Sequence, residues 1–151
     1  MKQIVIAVDG SPEAWYAADV GLDVAAAKGA TVTFLHASSE TLERIASRDP
    51  LLPDRREDLA AAEPVLGEAL ARARAADVDA QLELSRGSSG EEIVAEILRL
   101  ADDVEADMIV AGSRGRGAVV SSVLGSVSRL LLREAGVATL IVKVPHARDR
   151  G

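Results

Sequence analysis

Between residues 112 and 128 the chain gathers residue types that can hold an anion. Gly112, Ser113, Arg114, Gly115, Arg116 and Gly117 come first; Gly125, Ser126, Val127 and Ser128 follow a stretch of small and apolar residues. Glycine lets a backbone come close to a ligand and takes positive φ at no steric cost. Residues 125–128 fall where a helix should begin, and the unpaired N–H groups and positive dipole end of a helix start attract phosphate. The hydroxyls of Ser126 and Ser128 would add donors. Arg114 and Arg116 either clamp phosphate or stay solvated as loop charges. Phosphate binding is the chemistry this segment suits, although Gly112, Gly115, Gly125 and Ser126 taken alone would serve as well as turn and cap residues. Two common phosphate loops are excluded. The segment lacks the Gly-Lys pair of a Walker loop. Its glycines at 112, 115 and 117 have the wrong order for a dinucleotide fingerprint, which would also follow the first strand.

The elements that must position this segment follow from the hydrophobic pattern. A β-rich apolar run over residues 3–8 predicts a first strand, stopped by Asp9. Ser11 and Pro12 supply an N-cap and a first helical position. Ala14, Ala17, Ala18, Gly21, Leu22 and Ala25 mark one face of the helix, and Gly29 ends it. Further strands are predicted over residues 31–37, 80–84, 107–111 and 137–144. Leu59, Ala62, Leu66, Ala69, Leu70 and Ala73 share a helix face, with Pro64 either kinking or starting that helix. Ser88 with Glu91, and Ser89 with Glu92, are overlapping capping boxes for a helix built on Ile93, Ile97, Leu100, Ala101 and Val104. A last helix runs through residues 128–134. Residues 38–57, which hold Pro50 and Pro53, predict a long mobile connection, and those from His146 a frayed tail. Short apolar strands alternating with helices predict one doubly wound α/β domain over residues 1–145, an open parallel sheet with helices on both faces. The glycine-rich segment then leaves the fourth strand at the carboxyl edge, where such sheets bind ligands.

Other polar residues admit two readings each. Asp9, at the end of the first strand, would border the same crevice and could orient a ribose or hold Mg²⁺ through phosphates; the alternative is a turn aspartate bonded to its own backbone. The crevice reading is preferred because the first strand must end there. His36 has no partner nearby in sequence and reads as a hydrogen-bonded structural residue rather than a general base. Trp15, beside the first helix's apolar stripe, reads as packing.

Composition narrows the partners. Across 151 residues the net charge is −7 and the sequence pI about 4.8, a balance that disfavours nucleic acid and anionic membranes. Trp15, Tyr16 and Phe34 are the whole aromatic complement, which leaves no base-stacking platform. Without cysteine there are no disulfides and no thiolate metal sites. Asp9 breaks the first apolar run too early for a secretion signal, and no stretch approaches a membrane span, so a cytoplasmic location is expected.

The spacing from Gly112 by two residues to Gly115, and by nine more to Gly125 and Ser126, resembles the ATP-binding signature of the universal stress proteins. The resemblance covers nearly the whole chain: residues 4–11 are similar to that family's first strand and turn, Leu35, His36 and Ala37 to its second-strand end, residues 106–117 to its fourth strand and loop, and 137–144 to its last strand. It implies five parallel strands in the order 3-2-1-4-5, with nucleotide between strands 1 and 4. By position, Ala7, Val8 and Asp9 would border adenine and ribose, and Ala37 would offer backbone contacts to adenine. Ala111, Gly112 and Gly115 would line ribose and phosphates, with Gly125, Ser126, Val127 and Ser128 holding the phosphates. The resemblance further implies a homodimer through residues 137–144. The chain departs from the family in the 38–57 connection, which carries no recognised motif. The function implied is ATP-dependent regulation or sensing in stress, read by an unidentified protein partner; ADP, AMP or a cyclic nucleotide would fit the same features. A slow Mg²⁺-dependent ATPase and a nucleotide-free dimeric module are the alternatives. The former is disfavoured because no nucleophile–base pair or P-loop lysine is present.

Overall fold

The computed structural model describes residues 1–39, 55–114 and 124–145. Five strands form one parallel sheet in the order β3-β2-β1-β4-β5: β1 Gln3–Ala7, β2 Thr31–Ala37, β3 Ala80–Ser85, β4 Met108–Gly112 and β5 Ala138–Val142. The helices are α1 (Pro12–Lys28), α2 (Arg55–Ala62), α3 (Pro64–Ala75), α4 (Gly90–Asp103) and α5 (Ser126–Glu134). The predicted doubly wound sheet and its strand order are both present.

Strand alternation sorts the core into two layers. Ile4, Ile6, Val32, Phe34, Leu82, Val110 and Val142 face α1, α2 and α3, packing on residues such as Ala18, Leu22, Leu59 and Leu66. Val5, Leu35, Ile109 and Ala111 face the other way, onto Val94, Ile97 and Leu100 of α4 and Leu131 of α5. With so few aromatics, close approach replaces bulk. At Gly21, midway along α1, an added Cβ would stand 2.7 Å from Ile6 Cδ1, so α1 lies nearly in contact with β1.

Local signals explain the boundaries. Ser11 accepts from the Ala14 N–H and Pro12 opens α1, while Gly29 closes it at φ 65°. The helix interrupted by Pro64 is two helices, and the proline starts the second. Glu63 between them has extended backbone (φ −122°, ψ 110°), the conformation a residue before proline prefers. The connection predicted over residues 38–57 is shorter at its far end, because α2 begins at Arg55; Leu59 in this first turn and a half is 2% exposed and draws it onto the sheet. The mobility predicted for that connection, and the tail from residue 146, lie outside the described residues.

Candidate functional site

β1 sits at the centre of the sheet between β2 and β4, with Ile6 paired to both Phe34 and Val110. The chain leaves β1 through α1 toward β2, whereas β4 leads through α5 to β5 on the opposite side. The carboxyl ends of β1 and β4 therefore part, and the crevice between them is the place where open α/β sheets take ligands.

The β1 side is held by a chain of bonds. Gly10 at φ 84° turns the backbone sharply, a conformation glycine adopts without strain. Asp9 Oδ1 accepts from both the Ser11 N–H at 2.9 Å and the Ser11 hydroxyl at 2.6 Å. The same hydroxyl oxygen accepts from the Ala14 N–H at 3.2 Å. Asp9 thus makes the local turn bonds and fixes the cap of α1. Val8 is buried, and its backbone is committed at both ends: its N–H donates to Leu35 O, and its carbonyl accepts from His36 Nδ1 at 2.9 Å. His36 also places Nε2 3.8 Å from Glu63 Oε1. This is the structural histidine expected, tying β1 to β2 and to the start of α3. Ala7 and Ala37 are half-buried at the ends of their strands, Ala37 paired with Ser85.

The β4 side differs from expectation at two residues. Gly112 does not take positive φ; among the described glycines only Gly10 and Gly29 do. Its missing side chain serves packing, since a Cβ there would stand 3.1 Å from the Glu13 carbonyl oxygen in the first turn of α1. Ser128 does not hold a free hydroxyl toward a ligand. The group is 2% exposed and lies 2.9 Å from the Gly112 carbonyl and 2.8 Å from that of Ser113, to which it donates. A hydroxyl so placed ties α5 to β4 and leaves only the backbone N–H of Ser128 for an anion. Ala111 is buried and paired with Ile141 of β5. Arg114 is half-buried where the chain leaves the described region; Gly115 and Arg116 lie outside it. The chain returns at Leu124, and the Gly125 N–H donates to Ser113 O at 2.7 Å, which closes the loop at its base.

Gly125 is the N-cap of α5, with extended backbone and no side-chain cap bond, and the first turn holds no acidic residue. Ser126 is exposed and Val127 half-buried within that turn. One turn on, the Arg129 guanidinium donates to the Leu124 carbonyl, with Nη2 at 3.1 Å. The start of α5 is thus a set of backbone donors with a positive dipole end, and among the described residues it has no side-chain cap bond and no acid in its first turn. Among the described residues no three His, Asp or Glu side chains gather as a metal site, and no helix is long and apolar enough to cross a membrane.

A model of the universal stress protein family matches residues 1–143. The chain belongs to the universal stress protein family. A universal stress protein of Thermus aquaticus is 35% identical over 143 residues, spanning 94% of this chain and 98% of that protein. The crystal structure of a universal stress protein in complex with cAMP is 27% identical, with a TM-score of 0.68 over 94% of this chain and 96% of that one. A universal stress protein from Archaeoglobus fulgidus in complex with dAMP shares the fold at 23% identity and a TM-score of 0.64, over 93% and 97% of the two chains. Among the contacts at this family member's candidate site, sequence reasoning missed the one between Gly90 and Ser126. Its only signal was a glycine placed directly behind a capping box.

Proposed function

We propose that this universal stress protein binds an adenine nucleotide, ATP foremost, and acts in the cytoplasm as a regulatory module of the stress response. The observation that carries this reading is the bare start of α5 at the β1–β4 crevice. The relative crystallised with cAMP supports the nucleotide class. On this reading Ala7, Val8, Asp9 and Ala37 border adenine and ribose. Ala111, Gly112, Arg114 and Gly115 line ribose and phosphates, and Gly125, whose own N–H is held by Ser113 O, opens the turn in which the backbone N–H groups of Ser126, Val127 and Ser128 hold the phosphates. Mg²⁺ carried on the phosphates would neutralise their charge, and Asp9 would hold it indirectly, through those phosphates. ADP, AMP and cyclic nucleotides compete for the same assignment. Isothermal titration of ATP into nucleotide-stripped protein, with and without Mg²⁺ and beside adenosine, tests the reading. Saturable binding that is tighter for ATP than for adenosine supports it; no ATP binding under either condition refutes it.

We also propose a homodimer through β5 and its flanks, residues 137–144. β5 is an edge strand, and Val137 and Val144 are about a third exposed at 36% and 37%. The Val142 carbonyl faces β4, because it accepts from the Ser113 N–H. Backbone groups alternate sides along a strand, so Thr139 and Ile141 turn theirs outward, where a second copy can pair. Thr139→Pro removes one outward donor at an edge position that tolerates proline. The expected result is a fall from dimer to monomer mass in light scattering with the fold retained. An unchanged dimer mass would eliminate this edge.

A further inference from the structure

The start of α4 presses on the start of α5. A Cβ built on Gly90 would stand 2.7 Å from the Ser126 hydroxyl oxygen and 3.2 Å from the Ser126 Cβ, with Leu130 Cδ1 at 3.8 Å. The hydroxyl can rotate away from such a group. The Ser126 Cβ cannot, since it is fixed to the first residue of α5, so relief requires that the backbone itself give by a few tenths of an ångström. Nothing else demands glycine at this position. Gly90 does not have positive φ, and the first residue of a helix capped by Ser89 would be served better by alanine.

We propose that Gly90 is a positioning residue for the phosphate end of the nucleotide site. The absence of a side chain there sets where Ser126 and the first-turn N–H groups of α5 stand. The inference rests on the nucleotide reading above and adds to it a residue on a helix that the reading does not use. Hydrogen bonds weaken steeply with misaligned donors, so a small shift of this turn reaches the phosphates. The ends of β1 and β2, which border adenine and ribose, stay where they are. The loss should therefore fall on nucleotides and spare the nucleoside.

A double-mutant cycle tests this, using Gly90→Ala, Ser126→Gly and the pair, titrated with ATP and with adenosine. Gly90→Ala should weaken ATP binding about tenfold, the loss of roughly one charge-assisted hydrogen bond, while adenosine binding is unchanged. With Ser126→Gly both crowded atoms are gone, so adding Gly90→Ala to it should cost less than about twofold. Circular dichroism checks that each variant is folded. Undiminished ATP binding in Gly90→Ala, an equal loss in both backgrounds, or an equal loss of adenosine would overturn the role of Gly90 and leave the nucleotide site standing. Failure of the unaltered protein to bind ATP would instead bring down the nucleotide reading and this inference together.

Discussion

Helices α4 and α5 pack on the same face of the sheet and share one apolar layer, yet their first turns are finished in opposite ways. At α4 the Ser89 hydroxyl accepts from the Glu92 N–H at 3.1 Å, and the Glu92 carboxylate reaches back to the Ser88 N–H at 3.1 Å. Glu91 and Glu92 oppose the dipole. At α5 the cap is Gly125, which makes no side-chain cap bond, and the first turn holds no acid. Side-chain caps also serve α1, through Ser11, and α3, through Glu63. With glycine as the cap, forgoing a side-chain bond costs roughly a few tenths of a kcal/mol. Burial of Leu131, which is 0% exposed, returns roughly 1.5–3 kcal/mol, and the Ser128 hydroxyl bonds add about 1 kcal/mol. Tertiary packing therefore lets α5 keep its start open. The chain completes one helix start from within; on the proposed nucleotide reading, its neighbour's is left for an anion.

The largest effect should come from making α5 resemble α4. Gly125→Asp places a carboxylate at the cap, where it takes up the first-turn donors and repels phosphate. ATP affinity is expected to fall at least about 100-fold, the loss of roughly two charge-assisted hydrogen bonds. Stability should hold or rise by a few tenths of a kcal/mol, because aspartate caps better than glycine. Titration beside a thermal melt separates the two effects, and retained ATP binding in a folded Gly125→Asp protein would break the contrast. The converse change is smaller. Ser89→Ala should cost about 1 kcal/mol in denaturant unfolding and leave ATP affinity within about twofold, since the α4 cap serves the fold. A matching loss of ATP affinity would show that both helix starts belong to one site.

Helix faces and the caps at Ser11 and Ser89 were legible because each rests on a local pattern: 3.6-residue recurrence in α1 and α4, and a hydroxyl three residues before the N–H that it accepts; the strand order came instead from the family resemblance. The bare start of α5 was legible for the same reason, since Gly125 followed by a serine-rich turn carries no acid. What stayed hidden depends on pairs distant in sequence. Gly112 was expected to be glycine for a ligand or for positive φ; its φ is not positive, and a Cβ there would crowd the Glu13 carbonyl, a contact the sequence does not display. Ser128 was expected to donate outward, but the carbonyls of Gly112 and Ser113 capture it. The division at Glu63 was half visible: Pro64 announced a break, but the seating of α2 on the sheet through Leu59 is a tertiary contact that no window of sequence displays.

The smallest effect lies at the opposite, amino end of the sheet, where Asp107 shows in miniature what an anion gains from free backbone donors. Asp107 Oδ2 accepts from the Lys2 N–H at 2.6 Å and the Gln3 N–H at 3.0 Å, groups at the entry to β1. These two bonds hold the carboxyl below the ordinary aspartate range, Lys2 first and Gln3 second. The folded state therefore binds its proton less readily than the unfolded chain does. The stabilisation is present above the unfolded pKa and is lost as pH falls through the lower, folded one. Because the group is exposed, solvent keeps the effect small. Asp107→Asn should slightly lower the melting temperature at neutral pH, and the difference from the unaltered protein should shrink as the pH is taken below the aspartate range. A difference that persists undiminished in acid would mean that the aspartate acts through shape rather than charge. It would then cease to illustrate the electrostatic attraction inferred at the start of α5, although the carboxylate introduced by Gly125→Asp would still test that attraction directly.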